Sequence, residues 1–221
     1  MNSKRKYRNT LEFVEIGIQA CSDNATDLTT ASRIFLEHQL HAPAASLAIL
    51  AIEELGKLFA IDGLLFARTD DHKAQAFSQS LRSHQAKFHL FGSFWRFLAH
   101  FASYDPRHQK DQPFDETIQT VINMLIKDGE AVLDRIGEET FAPLDILKQS
   151  GFYVTLSSGN LVSPRNGVDP AFAQLLYDVA FRASSTLNFV LKGGTLQREK
   201  RGHSDFLGIT LCFRPIANSD G

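Results

Sequence analysis

A carboxylate, an imidazole and an ammonium group fall on the apolar faces of two predicted helices. Glu54 lies in the middle of a leucine-rich face of a helix predicted from Ala44 to Ala67. His84 and Lys87 are spaced i,i+3 on the aromatic face of the next predicted helix. Because an unpaired buried charge is costly, we expect Glu54 to be buried and to contact His84 or Lys87. The three groups suit either acid/base chemistry or a buried polar network that fixes helix register.

Two further polar sets lie on faces that the pattern predicts to be more exposed. Glu53 and Lys57 are spaced i,i+4 beside the leucine face and predict a solvated ion pair. A basic stripe on the third predicted helix contains Arg82, His89, Arg96 and His100. This stripe predicts either an ordinary solvated face or a surface that binds the phosphate backbone of RNA. Since it points away from His84, the two sets cannot form one site within a single subunit.

The composition and the motif content exclude several classes of site. Lys plus Arg is 23 and Asp plus Glu is 25, and this formal net charge of −2 excludes a globally basic nucleic-acid coat. No group of His, Cys, Asp and Glu has a recognised ligand spacing, so no metal site is predicted. Neither a Walker sequence nor GxGxxG occurs, and we predict no cofactor.

The same sequence features predict a cytoplasmic protein that does not enter a membrane. Cys21 and Cys212 lie nearly a whole chain apart, which indicates a reducing compartment and no disulfide framework. Glu12 and Glu15 interrupt the stretch in which a secretory signal would be apolar. The most apolar stretch, 44–67, contains four charged residues, which argues against a membrane span.

A helical bundle must position these side chains. Apolar periodicity predicts one long helix or two over 9–40, a helix over 44–67 packed antiparallel to it, and helices over 74–104, 115–136 and 169–191. The last helix should close at Gly193 and Gly194. The run GFYVTLSSGNLVSPR predicts a small hairpin or ordered loop near 151–165. The predicted fold class is all-α, with one helical domain over 1–194 and a tail of uncertain structure over 195–221.

The segments around Glu54 and His84 resemble one known family. AASLAILAIEELGKLFAI followed by RSHQAKF is similar to the signature of the AbiV family of abortive-infection proteins, within the HEPN superfamily. The signature is an alanine-rich helix that ends in Glu-Glu-Leu-Gly-Lys, followed by His-x-x-Lys. The matching residues are Glu53, Glu54, Gly56, Lys57, His84 and Lys87. Tyr153 and Pro164 match a looser later segment, and the resemblance spans about Thr10 to Leu191.

The resemblance implies a fold, a setting and a set of site residues. It implies a HEPN-like antiparallel helical bundle, a bacterial cytosol and a role in phage defence by arrest of the infected cell. The candidate catalytic residues that it implies are Glu54, Lys57, His84 and Lys87. The candidate RNA-binding residues are the basic stripe of Arg82, His89, Arg96 and His100.

Many HEPN proteins are metal-independent ribonucleases with an Arg-x(4–6)-His motif, often completed across a dimer. The pairs with this spacing are Arg33 with His38, Arg82 with His89, and Arg198 with His203. Chance alone gives on the order of one or two such pairs in a sequence of this composition, so the motif has little force here. We therefore place the functional centre at the EELGK and HxxK signature, although Arg82 with His89 is the most attractive pair.

Three functions stay open at this point. The first is an antiphage effector that cleaves or binds RNA, acts as a homodimer and halts growth or translation. The second is a non-enzymatic module that blocks translation through a phage or translation-related protein. The third is a sensor whose buried pocket binds a small anionic signal.

Overall fold

Long helices form most of the chain. The structure is a computed structural model and describes residues 11–66, 75, 78–102, 116–138, 140–153, 155–157, 160–164 and 168–201. In chain order the elements are α1 (Leu11–Glu37), α2 (His41–Phe66), α3 (His84–Ala102), α4 (Glu116–Ile136), α5 (Leu144–Ser150), β1 (Thr155–Ser157), β2 (Asn160–Val162) and α6 (Pro170–Arg201). The predicted all-α fold is confirmed, and the antiparallel β1–β2 pair lies where the hairpin was predicted.

The first helix is unbroken through the polar segment CSDNAT. Thr26 Oγ1 donates to the Ser22 carbonyl oxygen at 2.9 Å, and Ser22 Oγ donates to Asn188 of α6 at 2.6 Å. These bonds give the polar side chains partners within the helix and across to α6, so they do not compete with the helical backbone. A three-residue link with Gln39 in a left-handed conformation (φ 59°) then reverses the chain. α1 and α2 therefore pack antiparallel, as predicted.

α2 is the centre of the bundle. It packs against α1, α3, α5 and α6, and its buried positions therefore lie on every side of the helix. They include Ala48, Ile49, Ile52, Glu53, Leu55, Leu58, Phe59 and Asp62. A helix that is buried all round has no single polar face from which its orientation can be read.

A turn interrupts the third predicted helix, and α3 begins after this turn. Ser83 Oγ accepts a hydrogen bond from the Ala86 backbone N–H at 3.2 Å and caps α3. Residues 81–82 form a turn before this cap. The predicted helix over 74–104 is helical at 75 and 78–80, but the turn and the capping serine, which was not recognised, interrupt it. Residues 74, 76–77 and 103–104 lie outside the described residues. Arg82 belongs to the turn and not to the helix.

The last two long helices pack against each other. α4 ends at Ile136, where Gly137 takes a positive φ of 68°, and this agrees with the predicted stop. α6 runs through Gly193 and Gly194 to Arg201, so the predicted end at the two glycines is wrong. A glycine costs a helix about 1 kcal/mol relative to alanine, which weakens a helix without ending it. The domain boundary at 194 stays a prediction, and most of the tail lies outside the described residues.

Aromatic side chains fill the space between α2, α3 and the α4–α5 connection. Phe59 of α2 stacks on Phe94 of α3, with ring centroids 4.7 Å apart. Phe141, just before α5, meets Phe91 edge to face at 5.2 Å.

Within the described residues, none of the helices combines the length and the apolar character needed to cross a membrane.

Candidate functional site

The two consecutive glutamates of α2 point to different neighbours. Residues one step apart on an α-helix differ by roughly 100° in direction. The Glu53 side chain is 3% exposed and meets α3 and α5, whereas the Glu54 side chain is 12% exposed and pairs with Lys57 of its own helix. The prediction that Glu54 contacts His84 or Lys87 is therefore wrong. The neighbouring residue, Glu53, makes these contacts.

Glu53 is the centre of a buried charge cluster. Its Oε2 atom lies 2.7 Å from His84 Nδ1 and 3.7 Å from Lys87 Nζ. Its Oε1 atom accepts a hydrogen bond from the ammonium group of Lys148. Lys87 and Lys148 are both buried, so two ammonium groups balance this carboxylate inside the fold. The inward position predicted for Lys87 is confirmed.

Lys148 comes from α5, which the sequence analysis did not predict. Its Nζ atom also lies 2.7 Å from Asp145 Oδ1 and 3.2 Å from His84 Nδ1. Burial alone would lower the pKa of Lys148. The ion pair with Asp145 and the hydrogen bond to Glu53, together with the charges of those carboxylates, outweigh burial and raise the pKa above its ordinary value. Lys148 therefore carries its charge at neutral pH.

Close backbone approaches hold α3 and α5 against α2 at this point. A Cβ atom on Gly56 would overlap the carbonyl oxygen of Lys87, so α2 and α3 touch backbone to backbone one turn after Glu53. On the other side, Ser46 Oγ donates to the Lys148 carbonyl oxygen at 2.8 Å. Gly151 leaves room for that contact, because a Cβ there would overlap Ser46 Oγ. The glycine of EELGK thus has a direct role in assembling the cluster.

The hydrogen bonds determine which nitrogen of His84 holds the proton. A carboxylate oxygen accepts hydrogen bonds, so the bond between the two side chains has His84 Nδ1 as the donor to Glu53 Oε2 and leaves Nε2 able to accept a proton. The Lys148 ammonium, 3.2 Å from Nδ1, then contacts the ring without a hydrogen bond, because both nitrogens carry protons. The His84 side chain is 50% exposed, so the prediction that it faces the core is only half right. A buried carboxylate thus orients an imidazole whose ring reaches solvent, an arrangement typical of a general base.

Glu54 and Lys57 form a second polar cluster on the α1 side of α2. Glu54 pairs with Lys57 at i,i+3, in place of the predicted pair of Glu53 with Lys57. Cys21 of α1 lies against Glu54, and burial, reinforced by that carboxylate, raises the pKa of Cys21 to about 11. This thiol stays protonated at neutral pH and is a poor nucleophile. Of the four residues predicted to be catalytic, His84 and Lys87 therefore join Glu53, while Glu54 and Lys57 lie apart from them.

The basic stripe is exposed where the structure describes it. Arg82, His89 and Arg96 are all exposed, and the side chain of His100 lies outside the described residues. His89 and Arg96 are about 20° apart on α3 and roughly 120–140° from His84, which keeps them on a different face. Arg82 lies in the turn before the helix, so the angular argument that separates it from His84 no longer applies.

The remaining Arg–His pairs gain no support from their surroundings. Arg33 and His38 are exposed, and Arg33 is bound to Glu37 at 2.9 Å. The side chain of Arg198 and all of His203 lie outside the described residues.

Three groups that could bind a metal lie close together, although their spacing in the sequence did not predict a metal site. Glu53, His84 and Asp145 each offer one atom, and the three atoms lie within 4.8 Å of one another. The ammonium group of Lys148 contacts all three. A divalent cation and an ammonium group cannot occupy the same position, so the cluster as built already contains its cation.

Lys148 and Asp145 were not predicted from the sequence. The signal that was available is weak: a lysine three residues after an aspartate in the short segment LDILKQS. Nothing in that spacing indicates burial, because the pair lies more than 90 residues from Glu53 in the chain.

Comparison with known proteins gives one family and no individual relative. A protein-family model described as AbiV, of the HEPN type, matches residues 13–184 and so covers most of the chain. No curated protein and no solved structure matches the sequence.

Proposed function

Because the chain belongs to the AbiV family of HEPN proteins, we propose that it is an antiphage abortive-infection effector that cleaves RNA without a metal ion. Cleavage of RNA in the infected cell would halt growth or translation. The observation that carries the proposal is the Glu53–His84 hydrogen bond, in which a buried carboxylate holds a half-exposed imidazole.

His84 is the proposed general base. Its Nε2 atom takes the proton of a ribose 2′-hydroxyl, and the 2′ oxygen forms a bond to the adjacent phosphorus. The bond from phosphorus to the 5′ oxygen breaks, and that oxygen takes up a proton from water. The products are a terminal cyclic phosphate and a terminal hydroxyl. Glu53 keeps the imidazole in the tautomer that can accept the proton, and it stabilises the imidazolium that forms.

Arg82 is the proposed phosphate contact. It is exposed in the turn two residues before His84, and its guanidinium can stabilise the charge that develops on the phosphate oxygens. Lys87 and Lys148 are not suited to this task, because both are buried against Glu53. The exposed His89 and Arg96 then extend the contact along the RNA backbone.

We expect the active form to be a homodimer. Large apolar side chains that are exposed on the described surface include Phe13, Ile16, Ile34, Met124, Ile146, Phe152, Tyr153 and Phe181. Apolar surface of this kind favours association with a second copy. Light scattering on micromolar protein should give twice the mass of the chain, and a monomer would contradict the expectation.

The test is RNA cleavage by purified wild-type protein, His84→Ala and His38→Ala in the presence of a chelator. We expect wild type to cleave, and His84→Ala to lose about 10²–10⁴-fold in rate, the usual contribution of a general base. His38 is the matched control, because it is an exposed histidine on another helix end. Its substitution should change the rate less than about twofold, since solvated surface changes are usually small. Full activity of a folded His84→Ala protein would overturn the proposal.

The alternative is a non-enzymatic module that blocks translation through a phage or translation-related protein. One observation favours it: the two ammonium groups nearest His84 are occupied by Glu53 and are not free for a phosphate. Under this alternative, purified protein would not cleave RNA, and His84→Ala would still protect cells from phage. A pull-down from infected cells would then identify the partner.

A further inference from the structure

Lys148 lies where a three-ligand metal centre would hold its ion. Its ammonium nitrogen is 2.7 Å from Asp145 Oδ1, 3.2 Å from His84 Nδ1 and within hydrogen-bond reach of Glu53 Oε1. We propose that Lys148 is the built-in cation of this site, a positioning residue that holds the Glu53 carboxylate on His84. The catalytic part of this inference rests on the proposed role of His84 as a base.

The two oxygens of Glu53 have different partners, and this difference carries the inference. Oε1 binds Lys148, and Oε2 faces His84 Nδ1 at 2.7 Å. With Oε1 held, the carboxylate cannot rotate away from His84 without breaking a buried, charge-assisted hydrogen bond. Lys87 is the other cation near Glu53, but at 3.7 Å from Oε2 it is too distant to form a hydrogen bond. Lys148 is therefore the group that sets the orientation.

Lys148 is itself held from two sides. Asp145, one helical turn earlier, pairs with its ammonium group. Its backbone carbonyl accepts the Ser46 hydroxyl of α2 at 2.8 Å, which docks α5 at this height. The two carboxylates balance the charge of the buried ammonium, and the fixed backbone places that ammonium against Glu53. Partners of this kind, one step behind a reacting group, commonly change activity by 10–100-fold when they are removed.

A lysine that acts as a built-in cation should be replaceable by a metal ion. In Lys148→Ala the three ligand atoms of Glu53, His84 and Asp145 remain, and two carboxylates with an imidazole are a ligand set that Zn²⁺ accepts. Binding of Zn²⁺ would displace the Nδ1 proton of His84 into solvent. We expect Zn²⁺ to raise the melting temperature of Lys148→Ala and to leave that of wild type unchanged, because ligand binding to the folded state stabilises it. The response should disappear in Lys148→Ala/Asp145→Asn. Lys127→Met changes an exposed lysine on α4 and is the control variant, whose melting temperature should not respond to Zn²⁺.

RNA cleavage supplies the second measurement. Lys148→Ala should lower kcat by about 10–100-fold and leave KM within about threefold, because Lys148 acts through His84 and does not bind RNA. The absence of a Zn²⁺ response in a folded Lys148→Ala protein would overturn the built-in cation. Cleavage as fast as wild type, or faster, would overturn the positioning role and show that the ammonium blocks the site. If wild type does not cleave RNA, the proposed function fails, and the Zn²⁺ response alone decides whether Lys148 is the cation.

Discussion

Replacing Glu53 by glutamine tests the charge cluster with little change of shape. Glu53→Gln removes one negative charge and leaves the buried ammonium groups of Lys87 and Lys148 without the carboxylate they share. Breaking a buried ion pair by removing one partner costs about 3–5 kcal/mol. For a domain of this size, 1 kcal/mol corresponds to about 2–4 °C in melting temperature. We therefore expect the melting temperature to fall by about 6–20 °C.

Glu54→Gln is the matched control on the neighbouring residue. Glu54 pairs with Lys57, whose side chain is 29% exposed, and a pair that solvent reaches is worth about 1 kcal/mol or less. We expect a loss of about 2–4 °C at most, measured by calorimetry beside Glu53→Gln. The sequence pattern predicted the buried position for Glu54, so the two melting temperatures show which glutamate is buried in the charge cluster.

A double variant identifies the cause of the loss. If Glu53→Gln is destabilising because it strands an ammonium group, adding Lys87→Met should recover part of the melting temperature, since Lys87 pairs with Glu53 whereas Lys148 keeps Asp145. The reasoning fails if Glu54→Gln is as destabilising as Glu53→Gln. It fails equally if the double variant loses the sum of the two single losses.

Two further predictions concern α2 and α1. Gly56→Ala should destabilise the protein by about 1–3 kcal/mol in denaturant titrations, because the new Cβ overlaps the Lys87 carbonyl oxygen. Gly92→Ala is its control and should be neutral or stabilising, since the nearest atom to a Cβ there is 3.6 Å away. The thiol of Cys21, buried and with its pKa raised to about 11, should resist alkylation at pH 8 in a Cys212→Ser background and react once urea unfolds the chain. Above about pH 9 the thiol of the unfolded chain loses its proton, whereas the folded chain keeps it because the pKa of Cys21 is raised to about 11. The contribution of Cys21 to the free energy of unfolding should therefore fall from pH 9 to 11. Rapid alkylation of the folded protein at pH 8 would contradict the burial of this thiol.

The sequence by itself determined the long helices and the residues that α2 and α3 contribute to the site. Apolar residues at helical spacing are a local property, and they placed α4 and the inward face of α3 that carries Lys87 correctly. The hairpin near 151–165 followed from turn residues between short β-prone runs. The EELGK and HxxK residues were recognised because their order along the chain matches the family signature.

Only the tertiary structure decided which glutamate is buried with His84. α2 is covered by α1, α3, α5 and α6, so a leucine face does not identify the side on which α3 lies. Glu53 and Glu54 both have apolar neighbours in the helix. The backbones of α2 and α3 touch at Gly56, and this contact places Glu53 on the side of α2 that faces α3 and α5.

Lys148 and Asp145 are the other contribution of the tertiary structure. They reach Glu53 from a short helix more than 90 residues away in the chain, and a contact at that separation leaves no periodic pattern in the sequence. Seven residues are too few to show a helical period or to form a stable helix alone. α5 is held by packing against α2, and its lysine is buried because Glu53 and Asp145 are there to balance its charge.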